Sequence, residues 1–285
     1  MVDILLLHPV TMYIFLALFS LLIGSLLNVF IYRLPLMLQA EWSDECRIFL
    51  ELPVPPRQKI NLFLPRSFCP NCKKFIPSWH NIPVLSYLLL RGRCSNCSQS
   101  IPFRYPLVEL LSMGLSLLAA WHFGFNLTLL YALLFIWILI IITFIDLHHQ
   151  LIPDCLSLSL LWLGLIANTQ LLFTTLPVAV LSAAGAYLGL WLFIKLFYLC
   201  TGKIGMGNGD FKLFAAFGAW FGWMQIPFIL LLSSLTGAVI GIIYLKSTQK
   251  TRATPIPFGP FLCLAGLVAL FYGPQITQWY LRLYL

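Results

Sequence analysis

A chain of 285 residues that is 60% hydrophobic and 9% charged cannot clothe a soluble body of 32.4 kDa, because nine acidic and 17 basic residues are too few for its surface. With a mean hydropathy of +0.92 and several apolar runs of about 18 residues or more, the sequence reads as a polytopic membrane protein. The net charge of +8 is then a topology signal, and a nucleic-acid partner is not implied by it.

Apolar runs punctuated by Pro, Gly and charge predict an all-α polytopic membrane protein of about eight transmembrane helices, near 10–32, 106–122, 127–147, 155–172, 177–199, 211–224, 226–245 and 257–273. Only Asp3 and His8 precede the first run, so it lacks a basic n-region and reads as a retained anchor. The segment 33–105 holds ten Lys and Arg, and the stretches Lys195 to Lys212 and Lys246 to Arg252 hold three each. Sixteen of the 17 basic residues thus share one side, with Arg282 opposite. Positive flanks stay in the cytoplasm, which places 33–105, 148–154, 200–210 and 246–256 there and both termini across the membrane. The sixth run is short, and a helix there needs shielding by protein or little tilt. The expected organisation is a first transmembrane helix over 1–32, a cytoplasmic zinc-binding loop over 33–105, and a membrane-embedded domain of about seven helices over 106–285.

Eight cysteines divide into four with a pattern and four without. Cys69-Pro-Asn-Cys72 and Cys94-Ser-Asn-Cys97 form two C-x2-C pairs separated by 21 residues. Each pair places two thiolates on one tight turn, and two such turns complete a tetrahedral sulfur shell for zinc. The alternative is a pair of disulfides, which a cytoplasmic loop disfavours. Four thiolates leave no open coordination position, so such a zinc is structural. Cys46, Cys155, Cys200 and Cys263 read as small buried or interfacial hydrophobes.

Setting aside Asp3 and the loop acids Glu41, Asp44, Glu45 and Glu51 leaves Glu109, Asp146, Asp154 and Asp210. Each lies within or at the edge of a span, where an unpaired charge costs roughly 2.5 to 3.5 kcal/mol. Asp146 closes the third span and Asp210 opens the sixth, so both fall at cytoplasmic helix ends at similar depth. Two carboxylates that meet in a low-dielectric site share one proton and titrate as a unit. Such a pair does the work of an aspartic protease: the ionised member takes a proton from a held water while the protonated member polarises the scissile carbonyl. Gly207 and Gly209 would let the backbone take positive φ beside Asp210 and let a substrate strand come close. The competing reading of Asp210 is a helix N-cap.

Lys212 reads as a snorkelling interfacial lysine and Asp154 as a cap. Glu109 reads as satisfied by Arg104 or a hydroxyl such as Tyr105, and His148 and His149 as solvated interface residues. Asn28, after Gly24-Ser25, reads as interhelical glue with close approach allowed by its small neighbours. No G-x-S-x-G, H-E-x-x-H, Walker or Rossmann pattern occurs. A proton- or cation-coupled transporter would also explain rare intramembrane acids, and a scaffold would also explain thiol turns. The first leaves the cysteine loop unexplained and the second leaves the acids unexplained.

Six stretches together resemble the type IV prepilin peptidases, bifunctional leader peptidases and N-methyltransferases. They are GSLLNVFIYRLP at 24–35, the cysteine pairs flanking PSWHNIPVLSYLLLRGR, RYPLVELL at 104–111, IDLHHQLIPD at 145–154, GMGNGDFKLFAAFGAWFGW at 205–223 and TPIPFGPFLCLAG at 254–266. The resemblance implies that Asp146 and Asp210 are the catalytic pair, with Gly207 and Gly209 completing the family's G-x-G-D. It implies cleavage of a short basic leader from prepilins and pseudopilins at the cytoplasmic face of the bacterial inner membrane, after a glycine. It implies methylation of the new N-terminus by S-adenosylmethionine, with the zinc loop associated with that second activity. No methyl-donor residue is identified. Many relatives carry a second acid two positions after the first aspartate, where this chain has His148.

Overall fold

The computed structural model describes residues 9–55, 60–64, 66–69, 71–203, 205–248 and 256–282. Asp3, His8, Lys250 and Arg252, and the first two residues of the stretch at 254–266, lie outside them. The described residues form nine α-helices and no strand. They are α1 (Pro9–Phe49), α2 (Leu85–Leu89), α3 (Arg104–Phe123), α4 (Leu127–His149), α5 (Asp154–Thr169), α6 (Leu176–Thr201), α7 (Asn208–Phe221), α8 (Ile226–Thr248) and α9 (Gly259–Arg282). Two compact units result, Met1–Gly124 and Phe125–Leu285.

The first unit is built on α1, which packs along α3. Gly24 permits the contact: a Cβ there would stand 2.6 Å from the Glu109 Cα. Asn28 Nδ2 donates to the Tyr105 carbonyl at 3.0 Å and Ser112 Oγ to the Ser20 carbonyl at 2.8 Å. Asn28 is therefore interhelical glue, as its neighbourhood predicts. Helix α1 does not stop near residue 32 but runs to Phe49, through Pro35. The expected loop thus begins as helix. Beyond Pro35 the chain is rich in good helix formers, and Ile31, Arg33, Leu34 and Pro35 are all buried. Arg33 reaches the carbonyls of Asn61 and Leu62 at 2.9 and 3.3 Å, tying the returning chain to the helix.

Glu109 is buried on α3 and accepts the Val84 N–H at 2.8 Å, with the Ser25 hydroxyl beside it. The hydroxyl comes from α1. Val84 sits at φ 59, a strained conformation for a β-branched residue, which the buried carboxylate helps to hold.

In the second unit the short helix α7 is the centre. Every residue from Asp210 to Trp220 except Lys212 is buried, against α5, α6, α8 and α9. Fourteen residues rise only about 21 Å, less than a hydrocarbon core of about 30 Å, so the neighbouring helices supply its surroundings. That is the shielding a short apolar run demands. Gly218 is a close-packing position, since a Cβ there would lie 2.6 Å from the Ser182 carbonyl of α6. At the far end Trp220 is fully buried, donates Nε1–H to the Leu160 carbonyl at 2.7 Å and packs with tilted rings against Phe135 and Phe173. Asn168 completes the anchor. Its amide donates to the carbonyls of Ala219 and Trp220, which the helix end leaves orphaned, and its oxygen accepts from Phe173 and Thr174.

Among the described residues six helices are long and apolar enough to cross a membrane: α1, α3, α4, α6, α8 and α9. The expected count of eight is not reached by this measure, because α5 and α7 have 16 and 14 residues.

Candidate functional site

Helix α4 ends at His149 with Gln150 in the left-handed region, its N–H bonded to the Asp146 carbonyl at 2.9 Å. The chain then doubles back through Ile152 and Pro153 into α5. This turn carries Ile152 against Gly209, where a Cβ would stand 2.8 Å from the Ile152 Cβ. Gly209 is thus required for close approach. Neither glycine uses positive φ: Gly207 is extended at φ −80, ψ 155, and Gly209 lies inside α7. The expectation of a left-handed backbone beside Asp210 is corrected. What the site needs here is absence of bulk at Gly209 and, at Gly207, a backbone amide that reaches Asp210.

Asp146 and Asp210 are both buried, at 5% and 8% exposure, and near enough for the charge of one to act on the other. Each is held by one main-chain amide. Gly259 N–H donates to Asp146 Oδ2 at 3.0 Å and Gly207 N–H to Asp210 Oδ2 at 3.2 Å. Asp210 therefore makes the contact of a residue at N3 of its own helix rather than serving as N-cap, the place of Gly207. Its other oxygen, Oδ1, is buried and accepts no hydrogen bond among the described residues. A buried carboxylate oxygen without a partner is costly, and such costs concentrate at reactive sites.

Gly259 is the residue that sequence reasoning missed. A Cβ at 259 would lie 2.6 Å from Asp146 Oδ2, so only glycine lets the amide meet the carboxylate. The Phe258-Gly259-Pro260 break before α9 is visible in the sequence, but the contact with Asp146 is not. Cys263, one turn further, is 1% exposed. Lys212 pairs with Asp154, not with Asp210, and Asp154 lies in the first turn of α5 behind the N-cap Pro153. His148 is exposed and bonds the Phe144 carbonyl at 2.8 Å.

The second cluster belongs to the first unit. The Sγ atoms of Cys69, Cys72, Cys94 and Cys97 all lie within 4.8 Å of one another, and all four cysteines are free. The 3.8 Å between Cys69 and Cys97 excludes a disulfide and equals the edge of a tetrahedron with metal–sulfur distances of ~2.3 Å. The two turns are copies of one another: Cys69 N–H bonds Lys74 O while Lys73 N–H returns to Cys69 O, and Cys94 with Gln99 and Ser98 repeats the pattern. Lys73 and Ser98, each just past the second cysteine, share φ 58.

The Gln99 amide lowers the Cys97 thiol to about 6. The Cys72 amide lowers Cys69. Cys72 accepts the Lys74 amide, yet desolvation and the neighbouring thiols push it up to about 11. Crowded thiolates that repel one another in this way are what a cation relieves, and the four could hold zinc.

S-adenosylmethionine is a charged nucleoside. The shallow hollow of the first unit lined by Glu45, Cys46, Phe49 and Leu50 is almost wholly apolar and does not fit it.

The fold and these clusters define an all-helical, multi-pass membrane protein with a four-thiol cluster and a buried carboxylate pair held by backbone amides. Residues 18–123 match the bacterial peptidase A24 N-terminal domain and residues 133–242 the type IV leader peptidase family. The chain belongs to the type IV leader peptidase family. It is 62% identical to a prepilin leader peptidase/N-methyltransferase of Legionella pneumophila, over 96% of both chains. It is 50% identical to the protein of that name from Pseudomonas aeruginosa, over 99% of this chain and 98% of the relative. A third, from Stutzerimonas stutzeri, is 53% identical over 92% and 91%. No solved structure matches.

Proposed function

We propose that the chain is a membrane aspartic endopeptidase that removes the leader of prepilins and pseudopilins, and that it also methylates the new N-terminus as its relatives' name states. The observation that carries the peptidase half is the buried pair Asp146 and Asp210, each fixed by one backbone amide from a glycine. Both being held alike, the proton belongs to the pair. The ionised member takes a proton from water as the water attacks the scissile carbonyl, and the protonated member stabilises the developing oxyanion and then delivers its proton toward the leaving amine. Gly209 keeps the rim thin beside Asp210, where an extended peptide has to pass.

Cys69, Cys72, Cys94 and Cys97 are the zinc ligands in this reading, and the metal orders the loop. The dyad and the zinc loop face the cytoplasm of the bacterial inner membrane, because 16 of 17 Lys and Arg fall on that side of the topology. The division into a first helix (1–32), a zinc loop (33–105) and a peptidase domain (106–285) stands as a functional proposal.

The test is cleavage of a prepilin by purified enzyme in lipid, followed by mobility and by the mass of the product. Wild type should release the leader, and Asp146→Asn and Asp210→Asn should not. Full cleavage by both variants would remove the dyad from the mechanism.

A further inference from the structure

Along α6, from Val178 to Ile194, runs an apolar groove of about 780 Å³, floored by Phe214 of α7 and walled on its other side by Pro227 and Leu230 of α8. Sixteen helical steps make it about 24 Å long, most of a hydrocarbon thickness of about 30 Å. Apart from Ser182 and Ser234 its lining is apolar and uncharged, which suits an apolar occupant and not a basic leader.

Among the larger apolar side chains with which α6 lines the groove, Ser182, Gly185 and Gly189 place small residues at helical spacing. Their glycines are unlike others in this unit. At Gly164, Gly218 and Gly266 a Cβ would come within 2.4 to 2.6 Å of a neighbour, so glycine is used for packing inside the chain. At Gly185 and Gly189 no heavy atom lies within 4 Å of that point. A glycine in mid-helix is destabilising unless something approaches it, and nothing in this unit does. Ser182 adds an independent sign. It is 5% exposed, lines the groove, and its Oγ has no hydrogen-bond partner among the described residues. Small residues with a free hydroxyl form the surface on which a second membrane helix packs closely.

One end of the groove lies next in sequence to the two glycines that hold the dyad. Met206 and Phe258 both line it. Met206 precedes Gly207, whose amide holds Asp210, and Phe258 precedes Gly259, whose amide holds Asp146. We infer that this groove seats an apolar helical segment of the substrate, with the scissile bond at the Met206–Phe258 end, so that the small face of α6 selects substrates by close helix packing. A helix is the form such a segment takes in lipid, since its backbone groups are satisfied internally. The chain becomes extended only where it leaves the groove for the carboxylates. This inference rests on the peptidase reading above.

The test uses purified full-length enzyme in lipid nanodiscs and two substrates, a prepilin with its apolar segment and a peptide ending shortly after the scissile bond. Filling the groove with Gly185→Leu plus Gly189→Leu should raise KM for the long substrate at least about tenfold with kcat retained. Cleavage of the short peptide should not change. Gly114→Leu, on α3 and equally open, is the control and should change neither. Leu181, on the groove wall, replaced by p-benzoylphenylalanine should photo-cross-link to the apolar segment of the long substrate.

Unchanged KM for the long substrate overturns the inference. So does an adduct formed only with lipid or with a second copy of the enzyme, and so does equal loss on both substrates without an adduct to the long one. Wild-type enzyme that cut neither substrate would instead overturn the peptidase reading, and the groove assignment with it.

Discussion

In the first unit the four thiols are positioned by amides at most five residues away, on two turns that repeat the same hydrogen bonds. In the second unit Asp146 is positioned by Gly259, 113 positions later, and only the packing of α4 against α9 brings the two together. The thiol cluster is thus a local structure that lacks cohesion of its own, because the thiolates repel until a cation joins them. The carboxylate pair is the reverse. Its local structure says little, and its cohesion comes from a core of Phe, Ala and Trp closed around α7. A metal would hold one site and apolar packing holds the other, so different perturbations should break them.

The largest effect falls on the reaction. Asp146→Asn or Asp210→Asn keeps shape and volume but removes the shared proton, and should lower kcat/KM for leader removal by about 10²- to 10⁴-fold or more. Zinc content should be unchanged in both, which purified protein and metal analysis will show. The complementary experiment, Cys69→Ser or Cys94→Ser, should take bound zinc from one ion per chain to near none and expose the loop to protease. A structural zinc is worth about 10 to 16 kcal/mol to the fold it organises, so partial retention is not expected. Full stoichiometry in the serine variants would overturn the ligand set.

Smaller effects sharpen the contrast within the second unit. Gly259→Ala places a Cβ on the Asp146 carboxylate and should cost about ten- to a hundredfold in kcat, the scale of a misplacement of about 1 Å. Its melting temperature should fall far less than that loss would suggest. Gly218→Ala has the opposite profile. It pushes against the Ser182 backbone at the centre of the bundle, and should destabilise by about 1 to 3 kcal/mol in thermal or denaturant unfolding. Gly114→Ala, with open space around it, should be neutral or stabilising by up to about 1 kcal/mol.

Legibility in the sequence follows the same division. The C-x2-C pairs reveal their cluster because every contact that shapes them is local, so spacing is geometry. Asp146 and Asp210 are visible for another reason: acids are expensive at span ends, and a chain with nine of them advertises each. Gly259 carries no charge, and its role depends on where α9 begins relative to the end of α4, which no local pattern encodes. Positive φ at Gly207 and Gly209 is the natural reading of a glycine-flanked acid, but the demand falls on Gly209 alone and comes from Ile152, which is remote in sequence. The continuation of α1 past Pro35 was hidden because proline and a basic residue ordinarily mark a span's end. Here Arg33 folds back to bond Asn61 and Leu62, and the helix goes on.

The smallest predicted effect concerns Lys212, two residues from Asp210 and on local grounds a natural modulator of its charge. The structure gives the ammonium to Asp154 instead, in a pair whose side chains are 28% and 59% exposed. Such pairs are worth about 0 to 1 kcal/mol, and at this exposure the lower part of that range applies, with further loss in salt. Lys212→Met keeps the aliphatic stem that packs on the bundle and removes the charge. Stability should change by a few tenths of a kcal/mol, and the pH profile of leader cleavage should not move, because the dyad answers to its two glycine amides and its own shared proton. A displaced pH profile would mean that the ammonium's field reaches Asp210, and that the site is tuned by a local charge after all, bringing it closer in kind to the thiol cluster.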